Sequence, residues 1–139
     1  MTTTDELITA SAEETEAAAE RLAVQLRAGD LVLLVGPLGA GKTTFVRGLA
    51  RGLGSQADVM SPTFQLVRVY PGRTQLAHAD LYRLERASDL AELGLDELLD
   101  EGVVAVEWGD RLELGPERRL QVSFEPLDEN RRRLRFQPS

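Results

Sequence analysis

Four residues near the start of the chain have the types and the spacing needed to hold a phosphate group. Gly36, Gly41, Lys42 and Thr43 satisfy the pattern G-x-x-x-x-G-K-[ST] within the stretch GPLGAGKTTF. The glycines permit a tight turn whose backbone N–H groups point at phosphate oxygens, and a helix beginning at Lys42 adds the positive end of its dipole. In such loops the lysine reaches the β and γ phosphates and the hydroxyl coordinates magnesium. The pattern, placed between a strand and a helix, predicts nucleotide binding rather than a chance glycine-rich turn.

Two acidic residues are candidates for the magnesium side of this site. Glu107 follows the apolar segment VVAV, and the carboxyl end of a parallel strand emerges at the sheet edge where a phosphate loop lies. Glu107 is therefore predicted to hold magnesium or to orient the attacking water, and the sequence leaves both roles open. Asp80 ends the segment QLAHAD and is either a second metal-side carboxylate or an aspartate that caps the next turn.

Two weaker polar features each have a functional and a plain structural interpretation. His78, the only histidine, lies two residues before Asp80 and so on the same face of a strand. We interpret it as a packed or hydrogen-bonded residue rather than a general base. Ser61, Pro62 and Thr63 open a β segment where hydroxyls could sense a γ-phosphate, as switch loops do. From the residues alone an ordinary proline turn is favoured there.

The elements that must position these residues alternate between helices and strands. Ser11 and Glu14 match a capping box at the start of a helix that Gly29 ends, and Leu31–Val35 is an aliphatic run typical of a strand buried on both faces. The later predicted elements are a helix from Thr43 to about Leu53, a hairpin of Phe64–Tyr70 and Thr74–Asp80, a helix from Ser88 to Glu101 interrupted at Gly94, a strand at Val103–Trp108, and a C-terminal hairpin of RLQVSFE and RRRLRF. The order predicts one α/β domain over residues 1–139 with the P-loop NTPase-like fold: a mixed, mostly parallel sheet flanked by helices, with a C-terminal β-hairpin.

Composition limits the classes of partner. Sixteen basic and 23 acidic residues give a net charge of −7, which disfavours non-specific binding to nucleic acid or anionic membranes. Without cysteine, disulfides and thiolate metal sites are excluded. No apolar segment is long enough to span a bilayer, so we expect a cytoplasmic protein. The basic cluster Arg131–Arg135 is interpreted as the solvated face of an edge strand rather than as an RNA site.

Four segments of the chain together resemble the TsaE family. They are GPLGAGKTTF, SPTFQLVRVY, HADLYRLERASDLAELGLDELL and VVAVEWGDR, in this order and spacing. The family is the bacterial ATPase component of the machinery that installs threonylcarbamoyladenosine at position 37 of tRNAs. The resemblance runs from about Ser11 to Arg111, and one departure is Gly109, where many family members have proline.

The resemblance implies a role for each of the weaker motifs. Lys42, Asp80 and Glu107 would be the catalytic residues, and Thr43 would hold magnesium together with the two carboxylates. The stretch around Thr9 to Ala12 would lie near the adenine. The other residues implied at the nucleotide are Ser11, Leu38, Gly39, Ala40, Gly41 and Thr44, and those of the switch-like loop are Ser61, Pro62, Thr63 and Phe64.

The resemblance also implies what a small nucleotide-binding protein acts upon. Members of the family are ATPases that are weak alone and dock on a complex of TsaB and TsaD, of which TsaD is the transferase subunit. ATP would be the substrate, Mg²⁺ the cofactor and TsaB–TsaD the partner, with tRNA reached only through that complex and no membrane involved. The absence of an N-K-x-D stretch agrees with adenine rather than guanine. Two alternatives remain: a free-standing small-molecule phosphotransferase and a nucleotide sensor without turnover.

Overall fold

A computed structural model describes residues 5–37, 39–56, 59, 67–80, 94–107 and 119–138 of the chain. These residues form seven strands and three helices. The elements are β1 (Asp5–Thr9), α1 (Ala12–Ala23), β2 (Leu31–Val35), α2 (Lys42–Gly52), β3 (Val67–Tyr70), β4 (Gln75–Asp80), α3 (Leu95–Glu101), β5 (Gly102–Glu107), β6 (Arg119–Pro126) and β7 (Arg132–Pro138). All strands belong to one sheet with the order β1-β7-β6-β2-β5-β4-β3.

The centre of the sheet is parallel and its flanks are antiparallel. Strands β6, β2, β5 and β4 run parallel to one another, and β1 points the same way, so that among the described strands β3 and β7 are the reversed ones. Helices cover both faces, and β6 and β7 form an antiparallel C-terminal hairpin. The predicted mixed α/β fold with a mostly parallel sheet is therefore confirmed.

Strand β2 is buried on both of its faces, as its aliphatic sequence predicts. Val32 and Leu34 belong to the apolar core beneath α1 and α2. Leu31 and Leu33 belong to a second core on the opposite face, together with α3. Because side chains alternate across a strand, a residue run that is apolar at every position fits a site covered by helices on both sides.

Helix α1 is shorter than its sequence pattern predicts. Its start is confirmed, with Ser11 as the N-cap, but it ends at Ala23 rather than continuing to Gly29. Beyond Ala23 the chain bends so that Leu26 enters the core, and the Gly29 N–H donates to the carbonyl of Gly102, 3.0 Å away. The connection to β2 therefore ends α1 at Ala23, although the local sequence favours a helix up to Gly29.

Helices α1 and α2 pack against each other at unusually close range. A Cβ at Gly48 of α2 would overlap the carbonyl of Glu16 and lie 2.7 Å from the Cβ of Ala19. At the surface of this contact Arg51 donates to Glu20 at 2.8 Å, and this hydrogen bond to the carboxylate raises the pKa of Arg51. The absence of a side chain at Gly48 is what allows the two backbones to approach.

The N-terminal edge of the sheet differs from the sequence-based interpretation. Strand β1 was not predicted, and it pairs with β7 along its whole length, from Asp5 opposite Phe136 to Thr9 opposite Arg132. Strand β7 therefore lies between β1 and β6. The interpretation of Arg131–Arg135 as an edge strand is wrong, because the short polar segment DELIT occupies that edge.

The remaining predicted elements lie partly outside the described residues. The hairpin of β3 and β4 is confirmed from Val67 to Asp80, and α3 follows Gly94, which has φ +90°. The residues numbered 64–66, 88–93 and 108, which completed three predicted elements, are outside the described part of the chain, as is Gly109. In the described ranges, no helix combines the length and the hydropathy needed to cross a membrane.

Candidate functional site

The predicted phosphate-binding residues line a cavity at the carboxyl ends of the central strands. The cavity has a volume of about 430 Å³. Its walls come from the start of α1, the glycine-rich loop with the start of α2, the ends of β4 and β5, and the turn between β6 and β7. The lining residues are Ser11, Ala12, Thr15, Gly39, Gly41, Lys42, Thr43, Thr44, Asp80, Glu107, Glu129, Asn130 and Arg132.

The glycine-rich loop joins β2 to α2 and points its lysine back toward its own backbone. Gly41 has φ +103°, a left-handed conformation that glycine adopts without a steric penalty. Lys42 is 4% exposed, and its Nζ donates to the carbonyl of Gly36 at 2.7 Å. Ala40 is buried, and its N–H donates to the carbonyl of Pro37 at 3.2 Å. The loop therefore curls around the lysine; the predicted nucleotide residue Leu38 is outside the described residues.

The two candidate carboxylates end neighbouring parallel strands in register. Asp80 of β4 is the direct cross-strand partner of Glu107 of β5. Both are largely buried, with 9% and 6% of their surface exposed, and both line the cavity beside Thr43. Parallel strands present their carboxyl ends at one edge of a sheet, so the fold brings these two acids to the glycine-rich loop despite their distance along the chain.

The donor set at this edge suits magnesium only if a ligand supplies further oxygens. Among the residues that the structure describes, no group of three or more histidine, cysteine or acidic side chains is arranged to hold a metal ion. Mg²⁺ is usually bound by one or two carboxylates together with waters and substrate phosphates. The hydroxyl of Thr43 and the carboxylates of Asp80 and Glu107 fit a Mg²⁺ site that is completed by waters and substrate phosphates.

Glu107 is held by the only histidine of the chain. The Nε2 of His78 lies 2.9 Å from Oε2 of Glu107, and His78 is fully buried. This agrees with the interpretation of His78 as a hydrogen-bonded residue. With an ionised carboxylate the proton of a neutral imidazole lies on Nε2, and no group in the described part of the chain forms a hydrogen bond with the buried Nδ1. The contact fixes one carboxylate oxygen of Glu107.

The start of α1 forms a further wall of the cavity, through Ser11, Ala12 and Thr15. Ser11 Oγ accepts a hydrogen bond from the Glu14 N–H at 3.1 Å, and the Glu14 carboxylate accepts one from the Ala10 N–H at 3.1 Å. The predicted capping box is present, although the glutamate takes the amide one residue before the cap. A bond of 2.7 Å between the hydroxyls of Thr9 and Thr15 ties the end of β1 to the first turn of the helix.

The turn between β6 and β7 adds residues that the sequence analysis did not include. Glu129, Asn130 and Arg132 line the cavity beside Gly39. A signal for Arg132 was available in the sequence. Arg132 alternates with Leu134 and Phe136, so the three side chains share the face of β7 that packs toward the core. The predicted switch-like residues Ser61, Pro62, Thr63 and Phe64 lie outside the described residues.

Known proteins share both the sequence and the fold of this chain. The family model described as "Threonylcarbamoyl adenosine biosynthesis protein TsaE" matches residues 9–134. The chain is 47% identical to the tRNA threonylcarbamoyladenosine biosynthesis protein TsaE of Streptomyces coelicolor, over 84% of this chain and 74% of the relative. It is 42% identical to the protein of the same name from Bacillus subtilis, over 92% of this chain and 82% of that protein.

A solved structure has the same architecture. The crystal structure of Bacillus subtilis YdiB superposes with a TM-score of 0.78 and 35% identity, over 98% of this chain and 86% of that one. The family model covers most of the chain, including the glycine-rich loop and the ends of β4 and β5. The chain therefore belongs to the TsaE family.

Proposed function

We propose that this chain is a magnesium-dependent ATPase that supports threonylcarbamoylation of adenosine 37 in tRNA by docking on the TsaB–TsaD complex. The observation that carries the proposal is that the glycine-rich loop, Asp80 and Glu107 line the same cavity. A phosphate-binding loop alone would serve a sensor equally well. Two buried carboxylates at its edge add what hydrolysis requires, namely oxygen ligands for a cation and a group that orients water.

The residues of the cavity divide the work between binding and orientation. ATP would bind at residues 38–43, with the N–H groups of the loop and Lys42 holding its phosphates. Thr43 and Asp80 supply oxygen ligands, and bound Mg²⁺ would neutralise charge on the β and γ phosphates. Glu107, whose carboxylate His78 holds in one orientation, either completes the ligand set or accepts a hydrogen bond from the attacking water.

We propose that this small protein acts on the TsaB–TsaD complex rather than on a second small-molecule substrate. The loop Ser61–Phe64 is proposed to respond to the γ-phosphate, so that ATP and ADP favour different conformations of the docking surface. Hydrolysis then resets the transferase between rounds of modification. We place this work in the cytoplasm, with tRNA bound by the complex rather than by this chain. Its net charge of −7 supports an indirect contact with RNA, because nucleic-acid binding requires positive surface.

The proposal is tested by measuring ATP binding and phosphate release with and without purified TsaB–TsaD. We expect the partner complex to change the slow hydrolysis of the chain alone. Lys42→Ala should weaken ATP binding by roughly ten- to a hundredfold, as expected for loss of a charged hydrogen-bond donor, and should abolish tRNA modification in cells. Arg51→Ala, which removes an exposed cation from the same helix, is the matched control and should leave both unchanged.

The same assays separate the alternatives. Normal tRNA modification with Lys42→Ala would refute the proposal. ATP consumption that depends on an added metabolite, and not on TsaB–TsaD, would indicate a small-molecule phosphotransferase. Binding of ATP without turnover in the presence of the complex would indicate a sensor.

A further inference from the structure

The arginines of the C-terminal hairpin divide into two groups by the face of β7 from which they project. Arg133 pairs with Glu125 at 3.0 Å, and Arg135 lies 3.5 Å from Glu6. In the preceding turn Arg131 pairs with Asp128 at 2.7 Å. Arg132 belongs to the other face and lines the cavity of the glycine-rich loop. Alternation along the strand is what separates it from its neighbours.

The guanidinium of Arg132 is held in place entirely by backbone carbonyls in the described part of the chain. Its Nη1 donates to the carbonyls of Asp128 at 2.8 Å, Arg131 at 3.0 Å and Glu129 at 3.4 Å. Its Nη2 donates to the carbonyl of Gly39 at 3.4 Å. The first three contacts fix the side chain against its own turn. The fourth joins the C-terminal hairpin to the glycine-rich loop.

These contacts orient the positive charge of Arg132 without neutralising it. Carbonyl oxygens are neutral acceptors, and no carboxylate in the described residues lies within ion-pair distance of Arg132, whereas Arg131 and Arg135 each have one and Arg133 has two. A guanidinium has five N–H donors, and no acceptor in the described ranges engages Nε. An oriented cation with spare donors is complementary to phosphate, which arginine binds through two parallel hydrogen bonds.

We propose that Arg132 is a phosphate-binding residue that the C-terminal hairpin contributes to the nucleotide site. This inference rests on the proposed function, since the phosphate is that of the bound nucleotide. Lys42 and Arg132 then approach the phosphates from different elements, one from α2 and one from β7. Arg132 also contacts the Gly39 carbonyl, so it joins the hairpin to the glycine-rich loop at this site.

The test compares Arg132→Gln with Arg135→Gln in the full-length chain. Affinities for ATP, ADP and adenosine are measured by competition against a fluorescent adenine nucleotide in the presence of Mg²⁺. We expect Arg132→Gln to weaken ATP and ADP by roughly ten- to a hundredfold, the usual effect of removing a charged hydrogen bond, and to leave adenosine unchanged. Arg132→Lys, which keeps the charge but not the planar fork, should fall between Arg132→Gln and the unmodified chain.

Arg135→Gln is the matched control because it removes the same charge from the opposite face of the same strand. It should bind all three ligands normally. Unchanged ATP affinity in Arg132→Gln, with normal circular dichroism and melting temperature, would refute the inference. Equal losses for ATP and adenosine would also refute it, because they indicate a contact with the nucleoside. Failure of the unmodified chain to bind ATP would instead refute the proposed function.

Discussion

The two halves of the sheet are built on different principles. Strands β2, β5 and β4 are covered by apolar side chains on both faces, with α1 and α2 on one side and α3 on the other. Strands β6, β7 and β1 contribute to the core beneath α1 and α2, whereas their opposite face carries charged side chains such as Arg135 and Glu6, each 51% exposed. Strands β2 and β5 have nearly continuous aliphatic sequences, whereas β6 and β7 alternate apolar with polar residues.

This difference explains how each half contributes to the site. The doubly covered half forms the floor of the site, and its two carboxylates, Asp80 and Glu107, lie where β4 and β5 end. The half covered on one face has charged side chains along its strands. Successive residues of a strand point to opposite faces, so the position of a charged residue decides whether it points toward the core and cavity or toward solvent. Arg132 reaches the cavity and Arg133 reaches the surface for that reason.

The largest expected effect tests the difference between the two halves directly. Leu33→Ala and Leu34→Ala should each lower the free energy of unfolding by about 2–5 kcal/mol, because both faces of β2 are buried. On β7, Leu134→Ala should lower the free energy of unfolding by a similar amount, because Leu134 is buried. Arg135→Ala should lower it by only about 0–1 kcal/mol, the usual range for an exposed ion pair. Urea denaturation measures all four. A mild effect of Leu33→Ala, like that of Arg135→Ala, would contradict the comparison.

The next prediction concerns the buried hydrogen bond between His78 of β4 and Glu107 of β5. His78→Leu should lower the free energy of unfolding by about 1–3 kcal/mol, because it leaves the buried carboxylate of Glu107 without its donor. His78→Gln should recover part of this loss, since the side-chain amide can also donate. Denaturation at neutral pH gives both values. Equal stability of the two variants would mean that the hydrogen bond does not support Glu107.

A third prediction addresses the helical layer that the two halves share. Gly48→Ala should lower the free energy of unfolding by about 1–3 kcal/mol, as overpacking usually does, because the new methyl group would overlap the backbone of α1 at Glu16. Val24→Ala, at a position that is 80% exposed, is the control and should change stability by less than about 0.5 kcal/mol. Thermal unfolding compares them. A neutral Gly48→Ala would show that the two helices separate easily.

The smallest expected effect is a change in the pKa of Asp128, in the turn that precedes Arg132. The Arg131 backbone N–H, the Arg131 side chain and the Asn130 N–H lower the pKa of Asp128 from 3.8 to about 2. Arg131→Ala should raise this pKa only part of the way, because the backbone donors remain. A carboxyl group whose pKa is lowered by folding stabilises the fold at pH values above its ordinary pKa. For Asp128 that contribution is lost as the pH falls from 3.8 toward 2. NMR titration of Asp128 measures the shift, and complete recovery of 3.8 in Arg131→Ala would show that the backbone bonds contribute nothing.

Local sequence was sufficient where one physical signal dominated. The strand Leu31–Val35, the helix that follows the glycine-rich loop and the capping of α1 by Ser11 are confirmed, because apolar periodicity and capping act over a few residues. The end of α1 was predicted too late, since the connection through Gly29 to Gly102 depends on a residue far along the chain. Strand β1 was missed because a short polar segment becomes a strand only when β7 lies beside it.

The sequence by itself determined the fold class and the glycine-rich loop, and it offered Glu107 and Asp80 as candidate acids, because spacing and strand ends follow from local geometry. Only the tertiary structure decided that Asp80 and Glu107 are cross-strand partners, that His78 holds Glu107, and that Arg132 faces the cavity while Arg133 and Arg135 face solvent. Sheet order and register set those contacts. Both depend on pairings between distant segments, which no local pattern specifies.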